Sequence, residues 1–106
     1  MNFEDVYSEI SRINKKDPAT HSERVSKLFE EAGEFARAVN KATGRKVLSE
    51  EDTPIKIDLD ILEEAADTIQ NVISVLDGFE WSCEHLIFAM QQKNEKWEKK
   101  VDKIKL

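Results

Sequence analysis

The chain has 106 residues, 22 acidic against 16 basic, giving a formal charge of −6, with 40% apolar and 36% charged side chains. By length and composition that is a single folded domain, 1–106, and the negative balance disfavours binding to a nucleic-acid backbone. No run approaches the roughly 18 apolar residues of a membrane span. The segment 1–5 lacks the basic and apolar regions of a signal peptide, and the lone Cys83 excludes an internal disulfide framework, so a cytoplasmic chain is expected.

Four helices are expected in chain order. Phe3, Val6, Tyr7, Ile10 and Ile13 recur at helical spacing and place the first helix over about 3–14. Lys15-Lys16-Asp17-Pro18 breaks it, and Thr20-His21-Ser22-Glu23 has capping-box form, which starts the second helix near His21. That helix carries Val25, Leu28, Phe29, Ala32, Phe35, Ala36 and Val39 as its apolar stripe and stops near Gly44. Residues 44–57 read as a polar loop. The third helix is expected from about 58–60, with Leu59, Leu62, Ala66, Ile69, Ile73 and Leu76 as its stripe and Asp77-Gly78 as its end. Ser82 caps the fourth, built on Leu86, Ile87, Met90, Trp97 and Val101, with a frayed lysine-rich tail over 101–106. Strand-type alternation is absent, so the expected class is all-α, a four-helix bundle.

Two acidic clusters fall inside these helices: Glu30-Glu31-Ala32-Gly33-Glu34, and Glu63-Glu64-Ala65-Ala66-Asp67. Between Leu59 and Asp77 there are five acidic residues and no lysine or arginine. Solvated helices usually interleave signs, because like charges one turn apart repel, so this helix is expected to draw positive charge from elsewhere. At 100° per residue, Glu31 and Glu34 lie at the edge of the second helix's apolar arc, while Glu30 points away. Asp60, Glu64, Asp67 and Asn71 form one stripe of the third helix, with Glu63 nearer its boundary. If the two acidic faces meet, four carboxylates converge, and their repulsion raises carboxyl pKa values unless a cation neutralises them. Oxygen-only coordination of that kind suits Mg²⁺ or Mn²⁺. Zinc does not suit one cysteine and two separated histidines, and a di-iron site would want a Glu three residues before His21 or His85, where neither has one.

The residues resemble the MazG-like, all-α nucleoside triphosphate pyrophosphohydrolases, whose pattern is Glu-Glu-x-x-Glu followed after a gap by Glu-x-x-Asp. Here these are Glu30-Glu31-Ala32-Gly33-Glu34 and Glu64-Ala65-Ala66-Asp67, and Lys93-Asn94-Glu95-Lys96-Trp97 is similar to a segment near the end of many members. The resemblance spans roughly 21–100. The gap between the motifs is longer than usual, and the chain lacks the Arg-Gly ending common in that subgroup. The resemblance implies hydrolysis of a nucleoside triphosphate to the monophosphate and pyrophosphate, in the service of nucleotide-pool cleansing, by a homodimer or homotetramer. It implies Mg²⁺ held by Glu31, Glu34, Glu64 and Asp67, with Glu30 orienting water through the outer shell. Asn71 and His21 would contact sugar or base, and Lys93, Asn94 and Lys96 the phosphates. Trp81 and Trp97 suit bundle or dimer packing better than base stacking, and Phe79, Trp81 and Phe88 are candidate interface residues. Phosphoribosyl-ATP pyrophosphohydrolase is a second reading within the same superfamily. A non-catalytic helical interaction module is a third, from a different class.

Overall fold

A computed structural model describes residues 1–44 and 49–105. Among them are four helices and no strand: α1 Phe3–Asn14, α2 His21–Ala42, α3 Pro54–Asp77 and α4 Cys83–Lys105. None is long and apolar enough to cross a membrane.

The helix starts follow from local chemistry. Asn2 and Asp5 exchange side-chain and backbone hydrogen bonds at the head of α1. Thr20 and Glu23 do the same for α2, so each box satisfies two backbone donors that a helix end would otherwise leave unpaired. The end of α2 is closed by Thr43 and by Gly44, whose φ of 76° is the left-handed conformation glycine adopts without a Cβ penalty. The expected 44–57 loop is shorter than the sequence suggested. Thr53 Oγ1 accepts from Lys56 N at 3.2 Å, and Pro54 takes the first helical position, where its missing N–H costs nothing. Residues 54–57 are therefore helical, while 45–48 lie outside the described residues. Ser82 Oγ accepts from His85 N at the head of α4. The tail expected to fray from 101 is helical to Lys105.

α2 and α3 form an antiparallel pair. His21, opening α2, meets Phe79 just beyond α3 edge-on, with ring centroids 4.9 Å apart. At the other end Lys41 reaches Asp52, just before α3, at 3.3 Å. α1 packs across α3, and the buried Tyr7 donates to the Trp81 carbonyl at 2.7 Å, fixing the α3–α4 corner. α4 touches α1 but neither α2 nor α3.

The packing departs from the expected bundle in one respect that matters for the site. Only the later part of α3's apolar stripe is an inner face: Leu59, Leu62, Ala66 and Ile69 are exposed, Leu62 by 67%, whereas Ile73 is 1% exposed and Leu76 half-buried. The side turned to α2 carries Ile57, Asp60 and Glu64, and Ile57 and Glu64, seven residues apart, share a face roughly opposite Leu59 and Leu62. The first half of α3 thus turns Asp60 and Glu64 toward α2 and leaves Leu59 and Leu62 outward.

Candidate functional site

Glu31 and Glu34 stand one turn apart on α2 because residues three apart share a helix face, and the antiparallel pairing sets Glu64 of α3 against them. One carboxylate oxygen from each of the three lies within 4.8 Å of the others. Glu31 is only 5% exposed, and Glu34 and Glu64 are half-buried. Glu31 Oε1 receives Lys27 Nζ at 2.9 Å, but its Oε2 has no hydrogen-bond partner, and neither does Glu64 Oε2. A buried, unpaired carboxylate oxygen carries a full desolvation cost. The crowding appears in the protonation equilibria. Burial, the charge of Glu34, a shared hydrogen bond with Glu34, and the charges of Glu31 and Asp67 together push the Glu64 carboxyl above its ordinary range.

Lys27 is the cation of the site within its own helix. It lies one turn before Glu31 and 3.9 Å from Glu30, and the hydrogen bond to Glu31 with the charges of Glu30, Glu31 and Glu34 raises its pKa. On the other side of Glu34 a hollow of about 320 Å³ is lined by Glu34, Arg37, Lys41, Ile57, Asp60 and Glu64. Lys41 is committed to Asp52, which Ser49 holds through its N–H and hydroxyl. No acidic partner engages Arg37 among the described residues. An anionic group placed in this hollow would meet a guanidinium on one wall and carboxylates on the other. Only a cation between the anion and the carboxylates makes that wall hospitable to phosphate.

The expected site residues divide. Glu31, Glu34 and Glu64 are brought together; Asp67 is exposed at the rim and acts on Glu64 through its charge. Glu30 is exposed and outside the trio. Asn71 donates to the Asp67 carbonyl at 2.7 Å and lines a hollow facing α1, with Ile10, Asn14 and Ser74. His21 is packed on Phe79, ten residues or about 15 Å of helix rise from Glu31. Lys93, Asn94 and Lys96 are on the exposed half of α4, which does not approach α2 or α3 of its own chain. Lys27, Arg37 and Lys41 are not among the expected site residues, although Lys27, three and four before Glu30 and Glu31, and Arg37, three after Glu34, have the spacing that puts them on the same helix face.

No protein-family model, curated protein or solved structure matches this chain.

Proposed function

We propose that the chain is a Mg²⁺-dependent nucleoside triphosphate pyrophosphohydrolase with a MazG-type fold, cytoplasmic and homo-oligomeric. The observation that carries the reading is the trio Glu31, Glu34 and Glu64, with two buried carboxylate oxygens lacking any partner. Those three residues, with Asp67 at the rim, would hold the ion. The donor set is all oxygen and anionic, as Mg²⁺ or Mn²⁺ prefers, and a cation there relieves both the repulsion and the unpaired oxygens. When bound, Mg²⁺ supplies neutralisation of phosphate charge and a water of lowered pKa. In the reaction a water oxygen bonds to the α-phosphorus, the bond from that phosphorus to the oxygen bridging to the β-phosphate breaks, and pyrophosphate leaves. The hollow beside Glu34 offers Arg37 to the departing phosphates, and Asp60, on the same wall but not among the ion's ligands, would receive the water's proton.

Incubation with each ribo- and deoxyribonucleoside triphosphate and Mg²⁺ should yield monophosphate and pyrophosphate, and Glu64→Gln should lose the activity. A panel in which no nucleotide gives pyrophosphate, or a Glu64→Gln protein as fast as the parent, rejects the proposal. Turnover of phosphoribosyl-ATP alone would move the substrate to that second reading.

A further inference from the structure

The hollow beside Glu34 is built from two matched stripes. Glu34, Arg37 and Lys41 on α2 are spaced three and four apart, and so are Ile57, Asp60 and Glu64 on α3. Because the two helices run antiparallel, Glu34 opposes Glu64, Arg37 stands across from Asp60, and Lys41 comes beside Ile57. From Glu34 to Lys41 the helix rises about 10 Å, more than a single phosphate group spans. Along that length the α2 wall changes from a carboxylate to two cations. A chain of phosphates with its first member at the trio would bring its far end to Lys41.

Lys41 already has a partner, and the pairing is loose. Its Nζ lies 3.3 Å from Asp52 Oδ1, longer than the roughly 2.7–2.9 Å of a well-formed charge-assisted bond. Among the described residues it is the one ion pair that joins two segments, the others lying within α2. The turn that carries Asp52 does not depend on it. Asp52 Oδ2 accepts from Ser49 N at 2.8 Å and from Ser49 Oγ at 3.0 Å, and Asp52 N donates to the Ser49 carbonyl at 3.1 Å. The 49–52 turn is thus closed on itself. The lysine side chain is 31% exposed and free to swing, but the Asp52 side chain is only 4% exposed. Losing Lys41 would leave Oδ1 nearly dry and unpaired, which is costly. Exchange of the lysine is therefore open but resisted, and takes a highly charged anion to drive it.

We infer that Lys41 reads the far phosphate of a polyphosphate seated in the hollow, and that Asp52 is a positioning residue that withholds the lysine until that phosphate arrives. The inference rests on the reading that the trio's end of the hollow takes a phosphate with its ion, and it adds selection of a phosphate chain over a single phosphate. Orthophosphate at the trio meets Arg37 and stops short of Lys41, so Asp52 keeps its partner. Pyrophosphate or a longer chain meets both cations, and the second contact offsets the loss at Asp52. The same competition acts on the leaving pyrophosphate: Asp52 reclaims Lys41 and so favours release.

The test is calorimetric binding of inorganic pyrophosphate and of orthophosphate to the full chain at one fixed Mg²⁺ concentration. The parent should prefer pyrophosphate. Lys41→Met should weaken pyrophosphate binding about tenfold, the loss of one charged contact at a partly exposed position, and leave orthophosphate nearly unchanged. Asp52→Asn should move the other way and bind pyrophosphate a few-fold more tightly, with orthophosphate again unmoved. A damaged fold cannot produce that gain. In the parent, the Ser49 amide resonance should shift on adding pyrophosphate and stay in place with orthophosphate, because Ser49 N–H bonds the carboxylate that Lys41 leaves. A parent that does not bind pyrophosphate, a Lys41→Met protein with its preference intact, or an Asp52→Asn protein that binds pyrophosphate no better than the parent overturns the inference. Pyrophosphate binding that depends on Lys41 in a protein that hydrolyses no nucleotide keeps the inference and removes only the chemistry. Hydrolysis with binding indifferent to Lys41 does the reverse.

Discussion

α3 makes two polar junctions, and they solve the same problem in opposite ways. Against α1, Asp77 accepts from Ser11 Oγ at 2.7 Å and from Asn14 Nδ2 at 2.9 Å. Asn14 also donates to the Ser74 carbonyl, and Ser74 Oγ donates to Asn14 Oδ1 at 2.6 Å. Arg24 adds a bond from α2 to the Asn14 carbonyl at the end of α1, where a cation meets the negative pole of the helix. Each of these carboxylate and amide groups has a complementary partner, and only Arg24 Nε is left without one. Against α2, three carboxylates face one another, with Lys27 reaching one oxygen of Glu31 and two buried oxygens left unpaired. A satisfied network orients helices. An unsatisfied one holds free energy that a ligand could release, so the first junction acts as a joint and the second is the candidate site.

The two junctions should respond in opposite directions to loss of a polar group. Glu64→Gln removes one of three crowded charges. The proposed hydrolysis should fall by more than roughly 100-fold, the upper end for losing even an outer-shell partner of a metal ligand. The metal-free protein should nevertheless melt higher than the parent, because repulsion is relieved, and its melting temperature should stop rising with Mg²⁺. Asn14→Ala should do the reverse. Removing the amide leaves Asp77 and Ser74 under-paired in a buried place and should cost about 2 kcal/mol, or roughly 8–16 °C in Tm for a domain of this size. Its response to Mg²⁺ should persist. Thermal melts at one fixed protein concentration, with and without Mg²⁺, check both. If both variants melt lower without metal, the two junctions do not differ.

Lys27 tests the same contrast more gently. It reaches Glu31 at 2.9 Å, so a metal ion entering the trio must share or displace that contact. Lys27→Met should therefore bind Mg²⁺ a few-fold more tightly by calorimetry and lower the stability of the metal-free chain. Weaker binding would mean that Lys27 positions Glu31 for the ion rather than competing with it. The effect is expected to be small because the lysine side chain is 53% exposed and its pairing is screened by solvent.

The helices are legible because their apolar residues keep a helical period, and two of their starts because Thr20 and Ser82 have the chemistry of caps, whereas the Asn2 cap of α1 shows only in the structure. Pro54 falls in the expected 44–57 loop, although after Thr53 a proline also opens a helix. The harder error concerned faces. Leu59, Leu62 and Ile69 are as apolar as a core stripe, and a sequence does not distinguish a surface buried by its own chain from one covered by another. Only the antiparallel meeting of α2 and α3 shows that α3 turns Ile57 and Glu64 inward. Glu31, Glu34 and Glu64 were legible because i,i+3 spacing is local information. The distant placement of His21 and Asn71 was not, because it depends on Phe79 and on α1. Lys27 and Arg37 carry little signal in the sequence, because α2 interleaves its signs as an ordinary solvated helix does.

Two glutamates show the same contrast at the scale of single groups. Glu23 accepts from the Thr20 N–H at 2.9 Å, and that backbone bond, with the Thr20 hydroxyl, holds its carboxyl below the ordinary 4.5. Glu64, desolvated and facing Glu34, is displaced the other way. A depressed folded-state pKa contributes stability that is present above the unfolded value and lost as pH falls through the folded one. A raised carboxyl pKa favours the fold below the unfolded value and opposes it as pH climbs toward the folded one. Glu23→Gln should therefore melt slightly below the parent at neutral pH, and the gap should close on acidification past the carboxylate range. Carboxyl-carbon NMR titration of the metal-free protein should place Glu23 below and Glu64 above 4.5, and added Mg²⁺ should pull Glu64 down while leaving Glu23 unmoved. A Glu64 that titrates at or below its ordinary value without metal would mean that the three carboxylates are not crowded in solution. The carboxylate trio would then be no more than a solvated acidic face.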